Sequence, residues 1–208
     1  MYTLQTHYPV AVESLDHLHP NGTMIDNNSS ADFIAELESF VSGRPIRLCD
    51  LGCSGGQFVI DMNNRGHRAL GLEGSDYSAI RNRANWPNPA LFTCDITKPF
   101  TVLWGEEECQ FDVITAWEVL EHIPMDDLPN LVERMASMLT EGGYFIGTVS
   151  HEPFMWEGVN LHVSAMPIQE WEKLLSRRFE IVPFPFHHTV RDDALHAGIS
   201  KPICGRKL

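Results

Sequence analysis

Apolar positions along this chain recur with two periods, and blocks of the two alternate from about residue 30 onward. Phe33, Ile34, Leu37, Phe40 and Val41 form one helical stripe behind Ser29 and Asp32, which are spaced as in a capping box. Gly43 and Pro45 end that helix. Ile46 to Leu51 is a short apolar run with an acid near its end, which reads as a buried strand. Phe58, Val59 and Met62 return to helical spacing until Gly66. His67–Leu72, Ala90–Cys94, Phe111–Ala116 and Tyr144–Val149 read as four further strands. The helices between them are predicted at Ser75–Asn85 and at Asp126–Leu139, where Pro124 and the paired aspartates suit a helix start. Their Met and Leu stripes are core faces. Pro167 opens another helix carrying Ile168, Trp171, Leu174 and Leu175, and Phe179–Phe186 and Ala197–Cys204 supply a sixth and a seventh strand. Strands alternating with helices imply a mostly parallel sheet with right-handed crossovers.

Residues 1–29 break this rhythm. Pro9, Pro20, Gly22 and Asn27-Asn28 are turn formers, and the stretch is polar without a clear period. The chain therefore divides into an arm (1–29), a helix (30–42) and a core (46–208) within a single domain of 208 residues, a length that buries a sizeable core.

Charge and cysteine usage narrow the class. A net charge of −13, with sparse Arg and Lys, disfavours a nucleic-acid partner, because polyanion binders carry a basic face. No run of 18 or more apolar residues is present, so no membrane span is expected. The five cysteines are scattered without a C-x-x-C pair, which fits reduced thiols in the cytoplasm.

The chemistry concentrates after the first strand, in Leu48-Cys49-Asp50-Leu51-Gly52-Cys53-Ser54-Gly55-Gly56-Gln57. A strand that enters a glycine turn and then a helix offers free backbone N–H groups to a closely approaching ligand. The glycines do not follow the G-x-G-x-x-G dinucleotide pattern, and no Gly-Lys-Ser/Thr phosphate loop is present. What stands there, Asp50-x-Gly52-x-Ser54-x-Gly56, resembles the first motif of the class I S-adenosylmethionine-dependent methyltransferases, with Ser54 where the usual form has glycine. Further markers follow in order. Glu73-Gly74-Ser75 ends the second strand about 20 residues past Gly52, a spacing suited to the ribose hydroxyls. Asp95-Ile96 ends the third, and Trp117-Glu118-Val119-Leu120-Glu121-His122 follows the fourth.

The resemblance implies a Rossmann-like, doubly wound α/β fold: seven mostly parallel strands flanked by helices, the last strand antiparallel. It implies S-adenosyl-L-methionine as cofactor. Asp50, Gly52, Cys53, Ser54 and Gly56 would hold its amino-acid end. Glu73, with Gly74 and Ser75, would hold the ribose and Asp95 the adenine, between Ile96 and Trp117. Each acid could instead cap the helix that follows it.

The acceptor is less defined. A small polar molecule methylated at oxygen is expected, with a nitrogen acceptor, the ribose of an RNA end or donor binding without catalysis as alternatives, and the arm phrase Asp16-His17-Leu18-His19-Pro20-Asn21-Gly22-Thr23 looks similar to methyltransferases of saccharides. A hydroxyl needs a base, and His162 is the candidate, with His151 and His17 as alternatives and Glu118 beside the donor. Phe154, Trp156 and Trp171 could stack on an acceptor or belong to the core. Glu118, Glu121 and His122 stand at i, i+3 and i+4, one face of a helix, and with His151 or His162 resemble the metal site of small-RNA terminal methyltransferases. The same phrase occurs in metal-free relatives, where Glu121 and His122 cap and pack, and no metal ligand is assigned.

Overall fold

The structure is a computed structural model that describes residues 1–41, 45–192, 198 and 200–208. The arm opens with strand β1 (Tyr2–Thr6), then the short helices α1 (Leu15–Leu18) and α2 (Asn21–Ile25). Helix α3 (Ala31–Val41) follows, and its first turn is capped by Ser30, whose Oγ accepts the Phe33 N–H at 3.2 Å, rather than by the expected Ser29. Gly43, the expected terminator, and residue 42 lie outside the described residues. The core then runs β2 (Arg47–Leu51), α4 (Gln57–Asn64), β3 (Arg68–Glu73), α5 (Tyr77–Ile80), β4 (Leu91–Thr93), β5 (Phe100–Trp104), β6 (Glu107–Glu108) and β7 (Phe111–Trp117). After it come a 3₁₀ turn at Leu120–His122, α6 (Leu128–Met138), β8 (Leu139–Ser150), the hairpin β9 (Met155–Trp156) and β10 (Val159–Asn160), α7 (Ile168–Leu175), β11 (Phe179–Val182) and β12 (Ser200–Lys207).

Seven strands form the central sheet in the order β11-β12-β8-β7-β2-β3-β4. β4, β3, β2, β7 and β8 pair in parallel, and β12 is antiparallel to both of its neighbours. Alternation along each strand sorts its side chains onto two faces. Leu48, Val113 and Trp117 join Phe33, Leu37, Phe58 and Met62 of α3 and α4. Cys49, Leu51, Ile114 and Ala116 join Leu131, Met135 and Trp171 of α6 and α7. Both faces are covered, as a mostly parallel sheet requires.

The chain winds outward from β2 through β3 to β4, then returns to β7 on the other side of β2. The carboxyl ends of β2 and β7 therefore flank the switch point, where a doubly wound sheet opens its ligand crevice.

Four expectations about elements change. The helix expected over Ser75–Asn85 stops at Ile80, and Asn82 and Ala84 take left-handed conformations (φ 51° and 53°). That stretch leaves the helix to tie down the glycine turn: the Arg83 guanidinium donates to the Asp26 carbonyl, the Asn85 amide to that of Gly55, and the Trp86 indole to that of Ser54. Strand β8 begins five residues early, at Leu139. Strand β11 ends at Val182 because Pro183 and Pro185 lack ladder donors, and Phe186 turns back onto Phe33. The seventh strand begins at Ser200, its expected start at Ala197 lying outside the described residues. The arm also holds an element with no sequence signal of its own: β1 pairs with β5, which pairs with β6, in a second, three-stranded sheet.

Candidate active site

The carboxyl ends of β2, β3 and β7, the loop after β4 and the arm enclose a cavity of about 410 Å³, a size common among small-molecule sites (about 300–1,000 Å³). Gly52, Ser54, Glu73, Gly74, Ser75, Asp95, Ile96, Trp117 and Glu118 all line it. Asp50, Cys53 and Gly56 do not.

The turn after β2 is left-handed at three places: Gly52 (φ 70°), Ser54 (φ 46°) and Gly56 (φ 82°). Serine at such a position costs about 1–2 kcal/mol relative to glycine. Two hydrogen bonds offset it. The Ser54 N–H donates to Glu73 Oε2 at 2.7 Å, and its hydroxyl donates to the Asp26 carbonyl at 2.8 Å. Gly52 has no such freedom to change, since a Cβ there would press into Val119, which lines the cavity.

Glu73 is buried, and its other oxygen accepts from the Ser75 N–H (3.1 Å) and the Thr23 hydroxyl (3.2 Å) of α2. Burial pushes its carboxyl above the ordinary value, against the N–H donors of Ser75 and Ser54. Asp95 turns its own loop, accepting from the Thr97 N–H and hydroxyl on Oδ1 while still lining the cavity. Asp50 works inside the sheet instead, accepting the Thr115 hydroxyl of β7 at 2.7 Å. Burial pushes its carboxyl up to about 7. Cys53 packs beneath Gly71, and Gly56 starts α4 against Leu91.

Glu118 follows β7 in a left-handed conformation (φ 57°) and its carboxylate meets Arg191 at 3.4 Å. The helix face expected for Glu118, Glu121 and His122 is therefore absent: only Leu120–His122 form a 3₁₀ turn. Glu121 faces inward, buried, and accepts the Ser150 N–H at 2.9 Å. Burial pushes its carboxyl up to about 7.

Of the histidines, His122 lines the cavity, its Nδ1 2.9 Å from Asp16 Oδ2 of α1. Burial pulls its pKa down, but the Asp16 carboxylate and the neighbouring Glu121 and Glu118 outweigh that and leave it raised. His162 stands behind it, outside the lining, with ring centroids 4.7 Å apart and edge to face. The Glu152 carbonyl lies 2.7 Å from His162 Nδ1, and burial lowers this imidazole below its ordinary pKa. His151 meets Glu152 at 3.4 Å, and His17 meets Asp76 at 3.7 Å. Trp171 is a core residue, while Phe154 packs on His162 at the surface.

This geometry agrees with what known proteins show. A family profile described as "Methyltransferase domain" matches residues 26–198. The chain belongs to that family. It is a class I methyltransferase domain whose methyl donor is S-adenosylmethionine. Among curated proteins it is similar to the ubiquinone biosynthesis O-methyltransferase of Bordetella avium (28% identical over 123 residues, 59% of this chain and 49% of the relative). The same-named protein of Acinetobacter baumannii is 27% identical over 124 residues, 59% and 51% of the two chains. The chain thus spans about half the length of the curated relatives it matches. Among solved structures, the fold is shared with an S-adenosylmethionine-dependent methyltransferase from Mesorhizobium loti (TM-score 0.57, 18% identity, 86% and 98% covered). It is also shared with the 1,6-didemethyltoxoflavin-N1-methyltransferase of Burkholderia thailandensis, solved with S-adenosylhomocysteine (TM-score 0.58, 18% identity, 92% and 84% covered).

The cavity of this methyltransferase domain fits the donor on its own terms. A carboxylate fixed by three donors stands at the end of β3, and the Trp117 indole N–H, buried in the wall, lacks a hydrogen-bond partner. Sequence reasoning passed over Asp16, Thr23, Asp26 and Arg191 as site residues. A surplus of polar groups in an aperiodic arm was the available signal for the first three; Arg191 carried none.

Proposed function

We propose that this domain methylates a hydroxyl group of a small polar molecule, with His122 as the general base and Asp16 orienting it. The observation that carries this is the Asp16–His122 pair in the cavity wall: a half-buried imidazole whose Nδ1 lies 2.9 Å from a carboxylate leaves Nε2 for a substrate proton. S-adenosylmethionine supplies a methyl group on a sulfonium, open to in-line attack. The chain's own part is to hold the acceptor oxygen near that methyl, exclude water beneath the arm, and take the proton onto His122. Because Asp16 belongs to the arm, the dyad is complete only with the arm in place. His162, the base expected from sequence, packs edge to face against His122 from outside the cavity lining. Glu118 faces the donor. The O-methyltransferase names of the curated relatives support oxygen over nitrogen. The acidic chain favours a small molecule over nucleic acid. The test is formation of S-adenosylhomocysteine across a panel of sugar and phenol hydroxyls: turnover by wild type and its loss in His122→Ala is the expected result, and full turnover by His122→Ala refutes the base.

One observation favours a second possibility. Glu121, His122 and His162 each offer a ligand atom, all within 4.8 Å of one another, and Glu121 Oε2 is buried without a hydrogen-bond partner. Mixed oxygen and nitrogen donors of this kind suit a divalent cation, which would polarise an acceptor hydroxyl as a Lewis acid. Turnover unaffected by chelator and by Glu121→Gln excludes it; loss in both replaces the dyad with a metal site.

A further inference from the structure

Among the described residues, one strongly basic group lines the cavity at its glycine-turn end, and it comes from outside every motif. Arg191 lies between β11 and β12, in a stretch anchored to α3 where Glu36 accepts the His187 and His188 N–H groups. Its guanidinium lines the cavity, with one terminal nitrogen 2.9 Å from Asp26 Oδ2 of the arm and the other 3.4 Å from Glu118 Oε2. Its Nε is buried without a hydrogen-bond partner. The position within the cavity follows from its neighbours. Asp26 accepts the Ser54 hydroxyl of the glycine turn on its carbonyl, and Val119, next to Glu118, stands against Gly52. Glu73 and Asp95 line the cavity as well, and the nucleoside is expected beside them.

One cation between two anions is a receptor for a zwitterion. A guanidinium matches a carboxylate in charge and in planar geometry, and its unpaired Nε–H adds the second donor of a bidentate contact. The two carboxylates beside it carry the charge that suits an ammonium group. The aminocarboxypropyl end of the donor carries both. We propose that Arg191 binds the α-carboxylate of the methyl donor, exchanging its ion pairs with Asp26 and Glu118 for that contact while those two acids receive the α-ammonium. Arg191 is then a specificity residue, selecting ligands with an amino-acid end over plain adenosine thioethers. Because Asp26 belongs to the arm, the exchange also links donor entry to the arm's attachment. This inference rests on S-adenosylmethionine being the donor.

Calorimetric titration of the full chain with two probes tests it. S-adenosylhomocysteine has the amino-acid end; 5′-methylthioadenosine keeps the nucleoside and thioether without it. Losing a charged hydrogen-bond partner should weaken S-adenosylhomocysteine in Arg191→Gln by about 10-fold or more. 5′-Methylthioadenosine should bind that variant as it binds wild type, which also shows that the variant is folded. Arg191→Lys should recover part of the loss. Unchanged S-adenosylhomocysteine affinity in Arg191→Gln, or an equal loss for both probes, overturns the assignment and leaves the donor intact. Binding of neither probe by wild type overturns the donor itself and this inference with it.

Discussion

The two halves of the cavity are built in different ways. One half, proposed above to hold the donor's nucleoside, is made by the sheet: the turn after β2, the carboxylate at the end of β3 and Trp117 at the end of β7 are fixed by parallel pairing with neighbours on both sides. The other half is made by side chains that tie remote segments together. Asp16 of the arm holds His122, and Arg191 holds Asp26 across 165 residues of chain. A wall of paired backbone keeps its shape whatever surrounds it, whereas a wall of ion pairs exists only when the arm and the C-terminal segment are both docked. The nucleoside end of the donor site should therefore be rigid and general, whereas the acceptor site and the Arg191 end of the donor site should be conditional and particular to this chain.

The sharpest way to break that division is His122→Ala. Loss of a positioned base should lower kcat by about 10²–10⁴-fold. Titration with S-adenosylhomocysteine should be unchanged, and a large loss of affinity would merge the two halves. Glu73→Ala is the mirror experiment. Removing a carboxylate from the donor wall should weaken S-adenosylhomocysteine by about 10–100-fold, the range for charged hydrogen bonds, as read by tryptophan fluorescence.

Asp16→Asn sharpens the comparison on the acceptor side. The Asp16 carboxylate helps hold His122 above its ordinary 6.5, and with the neutral imidazole as the proposed base, activity should rise as pH climbs through that pKa. Without the carboxylate the acidic limb of the kcat/KM profile should move to lower pH, and a limb that stays in place separates His122 from the rate.

The smallest effect is on stability. Burial lifts the Glu121 carboxyl from 4.5 to about 7, so between those values the folded protein keeps a proton that the unfolded chain releases. Stability should fall as pH rises through that window. Glu121→Gln should flatten the fall in thermal midpoint. Some slope should remain from Asp50, which burial also pushes to about 7.

The sheet and its strand-end acids were legible because each is a local pattern. An apolar run followed by small residues reports a strand and a turn without reference to distant chain. Gly52, Ser54, Glu73 and Trp117 were found in this way and line the cavity. Asp50 was misplaced because sequence does not say whether an acid at a strand's end turns toward the crevice or toward the Thr115 hydroxyl in the next strand. Helical spacing predicts one face for Glu118, Glu121 and His122, whereas the chain reverses through a left-handed Glu118. β1 was missed since its partner, β5, lies almost a hundred residues downstream.

Sequence alone determined the fold class, the switch point and the donor, all of which follow from periodicity and from short motifs whose residues are neighbours along the chain. Only the tertiary structure decided which histidine faces the cavity, where the arm lies, and that Arg191 enters the site. Those choices depend on contacts between segments that share no local pattern, and a side chain's partner across such a distance is set by how the layers pack.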